Sequence, residues 1–539
     1  MQGKHIERIV VVGGGTAGWM SAVYLKTTFG SSVRVTLVES PKISTVGVGE
    51  ASFNTIKLFF DAIGLSEDEW MPECSATYKL AIKFINWRSD GLSFFHPFQR
   101  FEHVDGSSLA EWWLKYRETL GAFDSSCFAV PALCDANRSP KYLDGRPFDQ
   151  RIAGYVPYAY HFDATLLASY LQNIGIARGV EHFKEDVQHV SVSENGLILS
   201  VETASQRSIP GELFIDCSGF LGLLINKTLR EPFIPFRDSL LCDCAVAMRV
   251  PSDSKTEGIE PYTTATAFRS GWCWRIPLFH RIGTGYVYSS SFASKDEAER
   301  DLRAHTRYPR DSELQVSHIK MRIGRTRNAW VGNCVAIGLA GGFVEPLEST
   351  GIFFIQYALS ELVNHFPDNE YDEAIAANYN RVVASCIDAV RDFLTLHYCV
   401  TQRTDSPFWL AARNELKLSE RVREMLSVWR IRLPNSSNVP EHYHGFIAYS
   451  YCVIMLGLQY VPNRPCPLVS GKESLRARER FGEIAHDTTK LISSLPSHYE
   501  YVARLHARDF GRPACFGASE RWEAADSRTR ATVRMPNDL

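Results

Sequence analysis

The sequence predicts an α/β fold: a Rossmann-type sheet assembled from separated pieces of residues 1–360, followed by a mostly helical lobe over 361–517. Three observations predict it. RIVVVGGGTAGWMSAVYL (8–25) sets GxGxxG between a β-branched run and a helical one. NCVAIGLAGGFVEPLESTGIFFIQ (333–356) repeats the order of strand, glycine turn and helix far downstream. YDEAIAANYNRVVASCIDAVRDFLTLHY (371–398) carries its apolar residues at a 3.6-residue period.

Residues 9–12 form a run suited to a strand covered on both faces. After it, Gly13 permits a tight turn, Gly15 lets backbone approach a pyrophosphate, and Gly18 lets the helix pack closely on the strand. Phosphates would sit on the free N–H groups that begin this helix. VRVTLVES (33–40) supplies a second strand ending in Glu39, 21 residues past Gly18, the spacing of a carboxylate that accepts from a ribose hydroxyl. LFIDCSG (213–219) adds an apolar strand that ends at Asp216. A glycine motif at the head of the chain, with its companion strands far downstream, resembles the two-domain FAD-dependent monooxygenases. The expected FAD-binding box therefore spans 1–360, interleaved with a substrate-side sheet near 110–155 and 240–330. The helical lobe should lean against it as a pyramid, and the polar tail 518–539 should be mobile.

A net charge of −3 gives no electrostatic case for nucleic acid or an anionic membrane as partner. No apolar run approaches the roughly 20 residues that span a bilayer. The N-terminus lacks a secretory h-region, so a cytoplasmic location is expected. Thirteen cysteines without CxxC, and no HExxH, predict reduced thiols and no metal site.

GWCWRIP (271–277) sets Trp272 and Trp274 on one face of an extended run closed by Ile276 and Pro277. Alone, it reads as a strand with an aromatic core face. Paired with GxGxxG, it resembles the signature of the flavin-dependent halogenases. GVGEAS (47–52), YKLAIKFINW (78–87), FFHPF (94–98), PYAYHFDA (157–164), DCSGFLGLLIN (216–226), EPLESTGIFF (345–354) and DSPFWL (405–410) extend the resemblance to the tryptophan halogenases over nearly the whole chain. FFHPF, AEWW, YTTATA and YHGF are most similar to the 5-halogenase branch.

The resemblance implies that reduced FAD (FADH2), oxygen and chloride yield hypochlorous acid, which then chlorinates an indole. It implies a FAD site at Gly13, Gly15, Thr16, Ala17, Gly18, Glu39, Val187, Asp216 and Gly338, and chloride at the backbone of Thr350 and Gly351. Trp272, Trp274, Ile276 and Pro277 would wall the flavin pocket. Lys79 would direct the acid, although periodicity alone places it on a solvated face with Ala81 and Lys83. Glu348 would stabilise the arenium and take its proton, against a plainer reading as an acidic residue in a first helical turn. Glu345 would orient the turn. His96, Phe98, Phe446 and Tyr449 would hold the substrate ring, although a lone His96 is more often an ordinary core or surface histidine. A flavin hydroxylase would have no use for Lys79 and Glu348.

With no second GxGxxG of NADPH type, a separate NAD(P)H-dependent flavin reductase is the expected partner; a homodimer is left open. The branch resemblance favours C5 of the indole, then C6. Only RIAGYV (151–156) lies between LDGRPFDQ and PYAYHFD, and Ile447 and Ala448 stand where related enzymes carry polar groups. A short lid and an apolar rim favour tryptophan within a lantibiotic-type peptide, with free L-tryptophan as the alternative.

Overall fold

The computed structural model describes residues 5–43, 47, 49–148, 157–306, 314–440 and 444–508; RIAGYV and the tail from 518 lie outside them. A six-stranded sheet runs in the order Glu181–Lys184, Arg34–Glu39, Arg8–Val12, Leu213–Asp216, Cys334–Ala336, Trp330–Val331. All neighbours are parallel except the last pair. Ile9, Val10, Val11 and Val12 are buried because helices and a small sheet cover both faces. Each such side chain contributes about 1.5–3 kcal/mol of burial. Val12 lies in register with both Val38 and Asp216, which brings the carboxyl ends of three strands to one edge. Ligands of open α/β sheets bind at such an edge.

A second, seven-stranded sheet carries the chemistry. Its order is Val316–Lys320, Cys244–Pro251, Arg281–Tyr288, Gly271–Pro277, Tyr262–Phe268, Ala81–Ile85, Phe94–Pro97. The GWCWRIP strand is central, with Trp272 opposite Ala267 and Val287, and Trp274 opposite Ala265 and Gly285. Gly285 makes room for the indole: a Cβ there would lie 2.3 Å from the Trp274 ring.

The apparent strand at 78–85 is two strands. Thr77–Lys79 pairs with Ala159–Phe162 in a three-stranded sheet, and Ala81–Ile85 belongs to the seven-stranded one. Leu80 is the junction: its N–H donates to Pro261 O at 2.7 Å, and its carbonyl accepts from Phe98 N. Lys79 is therefore fully buried rather than on a solvated face. Alternation fails because the chain changes sheets between Lys79 and Lys83.

The expected sheet near 110–155 is also corrected. Leu109–Tyr116, Phe123–Cys127 and Val130–Asp135 are helices. Ser108 caps the first by accepting from Glu111 N, and the helical spacing of LAEWWLKY buries Trp112 and Tyr116 together. Farther on, the chain is helical through Gly351–Asn364, Glu373–Cys399, Pro407–Asn414, Glu420–Trp429, Ala448–Gly457, Leu475–Ser494 and His498–His506. Asp372, Ser406, Ser419, Ser474 and Ser497 each cap one of these helices through a side-chain oxygen, worth about 1 kcal/mol apiece.

The last helix seals the Lys79 strand. Buried His498 accepts from Tyr78 N through Nε2 at 3.1 Å and, through Nδ1, donates to Ile259 O. The imidazole must stay neutral, and burial pulls it from 6.5 down to about 4. Protonation costs the folded state, so stability is intact above pH 6.5 and falls as pH drops from there toward 4. Over that window the loss should be of order 3 kcal/mol. Urea midpoints at pH 7.5 and 4 measure it; His498→Gln should lower stability at both pH values and shrink the difference between them.

Candidate active site

At the edge of the parallel sheet, Gly13 has φ 113° and its N–H donates to Val38 O. A Cβ on Gly13 would fall 2.3 Å from Cys217 O, and one on Gly18 would fall 1.8 Å from Gly13 O. Gly15 precedes helix Thr16–Phe29 with no side-chain cap, so its leading N–H groups are free to meet phosphate. Glu39 lies against Gly14, with Oε1 accepting from His182 Nε2 at 2.9 Å. Ala17 packs at the same edge on Gly338, whose φ is 71°, and Thr16 Oγ1 donates to Ala164 O. Val187 opens the strand Val187–Val192, directly after Asp186, which binds Ser40 and Lys42 just beyond Glu39. The Asp216 carboxylate is committed to the chain: Ser218 N and Oγ, Leu224 N and Ile225 N all donate to it. A cradle without Cβ atoms, free helical N–H groups and a carboxylate at the second strand end together fit a dinucleotide.

The GWCWRIP strand braces two other segments. Trp272 Nε1 donates to Glu345 Oε2 at 2.9 Å, and the Tyr398 hydroxyl donates to the same oxygen at 2.6 Å. Burial pushes the Glu345 carboxyl up to about 7, against the pull of Tyr398 and Trp272. The carbonyl of Pro277 accepts from Thr77 Oγ1, two residues before Lys79. Trp274, 6.3 Å from Trp272 between ring centroids, is also buried, as is Ile276. The motif thus ties the Glu348 turn and the Lys79 strand to one rigid element.

Lys79 Nζ donates to Ser349 Oγ at 2.9 Å and Ser52 O at 3.2 Å, and stands 5.3 Å from the centre of the Phe98 ring. Burial pulls the amine down to about 7, with the charge of Glu348 opposing. Ser349 reaches Lys79 because it sits in the left-handed region, φ 62°, between the Glu348 turn and helix Gly351–Asn364. Glu348 is 2% exposed, and burial alone would raise it. His96 Nδ1 at 3.0 Å and His397 Nε2 at 2.9 Å more than offset that and hold it down at about 2. Thr350 precedes the helix, its buried Oγ1 without a partner among the described residues, and Gly351 is the first helical residue.

An aromatic box surrounds this pair. Phe98 meets Phe53 edge-on at 5.8 Å, and Phe53 meets Phe446 at 5.4 Å. Phe393 stacks on Phe446 at 4.0 Å, and His96 lies beside the pair, 6.4 Å from Phe446 and 6.2 Å from Phe393. Tyr449 closes the side, 6.1 Å from His96, with its hydroxyl toward Phe98 O. His96 is also bonded to Glu348. Sequence reasoning missed Phe53, Phe393 and His397. A cavity of about 480 Å³ lined by Arg138, Tyr142, Arg146 and Leu495 includes none of these residues.

The family model for tryptophan halogenase matches residues 8–474. Tryptophan 6-halogenase SttH of Streptomyces toxytricini is 46% identical, covering 94% of this chain and 100% of its own. Its crystal structure superposes with TM-score 0.89 over 93% of this chain and 100% of that one. Tryptophan 7-halogenase RebH of Lentzea aerocolonigenes is 42% identical over 94% of this chain and 100% of its own. MibH, described as a lathipeptide tryptophan 5-halogenase, is 28% identical with TM-score 0.80, covering 97% and 99% of the two chains. The glycine cradle, the braced Trp272 strand and the buried Lys79 and Glu348 stand on a fold shared with SttH and MibH over 93% and 97% of this chain, and the chain belongs to the flavin-dependent tryptophan halogenase family.

Proposed function

We propose that the chain chlorinates free L-tryptophan at C6, using reduced FAD delivered by a separate NAD(P)H-dependent flavin reductase. The observation that carries this is a buried ammonium and a buried carboxylate, Lys79 and Glu348, set in one aromatic box. Gly13, Gly15, Thr16, Ala17, Gly18, Glu39, Val187 and Gly338 would hold FAD, with the backbone at Asp216 beside them. The reduced cofactor supplies, with oxygen, the oxidising power that converts chloride to hypochlorous acid. Chloride is suited to the N–H groups at Thr350 and Gly351, where Thr350 Oγ1 has a free donor.

Lys79 has one N–H beyond its bonds to Ser349 and Ser52. It holds hypochlorous acid by its oxygen and gives that oxygen a proton as chlorine passes to the ring, so that water leaves. The ring carbon then bears both chlorine and hydrogen, and Glu348 takes the proton so that the C–H electrons restore aromaticity.

Two features separate this reading from the sequence expectation of a peptide substrate at C5. Relatives at 44–46% identity, SttH and KtzR, are named tryptophan 6-halogenase and 7-chloro-L-tryptophan 6-halogenase, whereas the lathipeptide 5-halogenase stands at 28%. Arg100, two residues past Phe98 and partly exposed, makes no hydrogen bond or ion pair among the described residues. Burial raises the Tyr449 hydroxyl to about 12, with the nearby charge of Arg100 opposing. A free guanidinium beside a tyrosine hydroxyl suits the α-carboxylate of a free amino acid, a group that peptide tryptophan lacks. Losing such a charged bond costs about 1.5–3 kcal/mol. Arg100→Ala should therefore raise KM for L-tryptophan about tenfold or more, with kcat little changed. Competition between L-tryptophan and a tryptophan-containing peptide, with proton NMR of the product, tests the whole reading. Preference for the peptide, or a C5 product, would overturn it.

A further inference from the structure

His397 lies on helix Glu373–Cys399 with its imidazole fully buried, and both ring nitrogens face acceptors. Nδ1 is 2.9 Å from the carbonyl oxygen of Phe393, one turn earlier, and Nε2 is 2.9 Å from Glu348 Oε1. A carbonyl only accepts, so Nδ1 carries a proton. An ionised Glu348 only accepts as well, so Nε2 must carry the other. The one arrangement that avoids an imidazolium protonates Glu348 instead, and a protonated carboxylic acid is too weak a base to take a ring proton.

The neighbours decide between these. Four titratable groups face Glu348: Lys79 from strand Thr77–Lys79, His96 from Phe94–Pro97, His397, and Tyr449 from helix Ala448–Gly457. His96 Nδ1 lies 3.0 Å and 3.1 Å from the two carboxylate oxygens, a second donor. None of the four is an acid ionised at neutral pH. Tyr398, the next residue on the same helix, bonds Glu345, the other carboxyl of EPLE, with a neutral hydroxyl. One helix thus presents to Glu348 an imidazole with both nitrogens facing acceptors and to Glu345 a neutral hydroxyl, an arrangement that drives the two carboxyls toward opposite states.

We propose that His397 is a positioning residue: as a fixed imidazolium it keeps Glu348 ionised and holds Oε1, leaving Oε2, shared only with His96, to receive the ring proton. This rests on the reading of Glu348 as the base. The periodicity of the helix places His397 on a buried face but gives it no partner, which is why the sequence does not reveal it.

Two measurements test the proposal. In protein labelled with ¹⁵N-histidine, one imidazole should keep the doubly protonated pattern at pH 7.5, and His397→Gln should remove that signal. A neutral pattern for His397 at this pH would overturn the proposal, whatever the enzyme's substrate. The second is the pH profile of tryptophan chlorination. His397→Phe should lose tenfold or more in kcat and bring an acid limb into the range pH 5–7, with KM for tryptophan and trapped hypochlorous acid within twofold of wild type. His397→Gln, which keeps a donor without the charge, should recover part of kcat but retain the acid limb. Wild-type kcat and profile in His397→Phe, or equal losses in KM and hypochlorous acid, would also overturn it. An intact imidazolium signal in a wild-type protein that chlorinates no indole would instead count against Glu348 as the base.

Discussion

Lys79→Ala should abolish ring chlorination while hypochlorous acid still forms and escapes to a soluble trap. The separation follows from where the amine sits. Lys79 stands 5.3 Å from the Phe98 ring, inside the aromatic box, whereas the glycine cradle lies at the end of another sheet. Removing the amine leaves Ser349 Oγ and Ser52 O without their donor, a cost of about 1–3 kcal/mol that a chain of this size tolerates. Lys79→Met fills the space and should behave the same way, which separates lost chemistry from lost folding. Burial holds the Lys79 amine at about 7, so its ammonium form declines as pH rises through that value. Chlorination by the wild type should accordingly fall above pH 7 while oxidant formation continues. Near-normal chlorination in either variant removes Lys79 from the mechanism.

Glu348→Gln should lower turnover by about 10²–10⁴, the range of a positioned general base. The amide cannot take a proton, and it replaces a full negative charge beside the arenium with a weak dipole. Two donors, His96 Nδ1 and His397 Nε2, would then meet a neutral oxygen. Because Glu348 is held at about 2, the wild type should show no loss of activity from this group between pH 5 and 8. Single-turnover chlorination, followed alongside tryptophan binding, checks both points: the rate should collapse and the binding should not.

The features legible in the sequence are those in which chemistry and contact lie close along the chain. RIVVVGGGTAG gives strand, turn and helix within a few residues, because Gly13 and Gly18 clash with backbone from the same motif or the adjoining strand if given a Cβ. Glu39 follows at a fixed distance for the same local reason. Lys79 reads wrongly from period alone, since alternation assumes one continuous strand and the chain switches sheets at Leu80. The stretch 109–135 forms helices where a sheet was expected, and the cap at Ser108 with helical spacing in LAEWWLKY was the signal available. Trp272 shows its aromatic face in sequence, but its partner Glu345 lies 73 residues away. His397 and Phe393 are one turn apart on a helix whose period is plain, yet what they face, Glu348 and Phe446, comes from other segments. Family resemblance brought Lys79 and Glu348 into view. It supplied His96 only as a ring-holding residue, without its bond to Glu348, and it did not supply His397.

The most direct test of the central claim is the product made by the wild-type protein from L-tryptophan with reduced FAD, oxygen and chloride, identified by mass spectrometry and proton NMR. The account predicts a monochlorinated tryptophan that requires chloride and carries chlorine at C6. Hydroxytryptophan formed regardless of chloride, or oxidation of the flavin with the indole unchanged at every halide concentration, would contradict it.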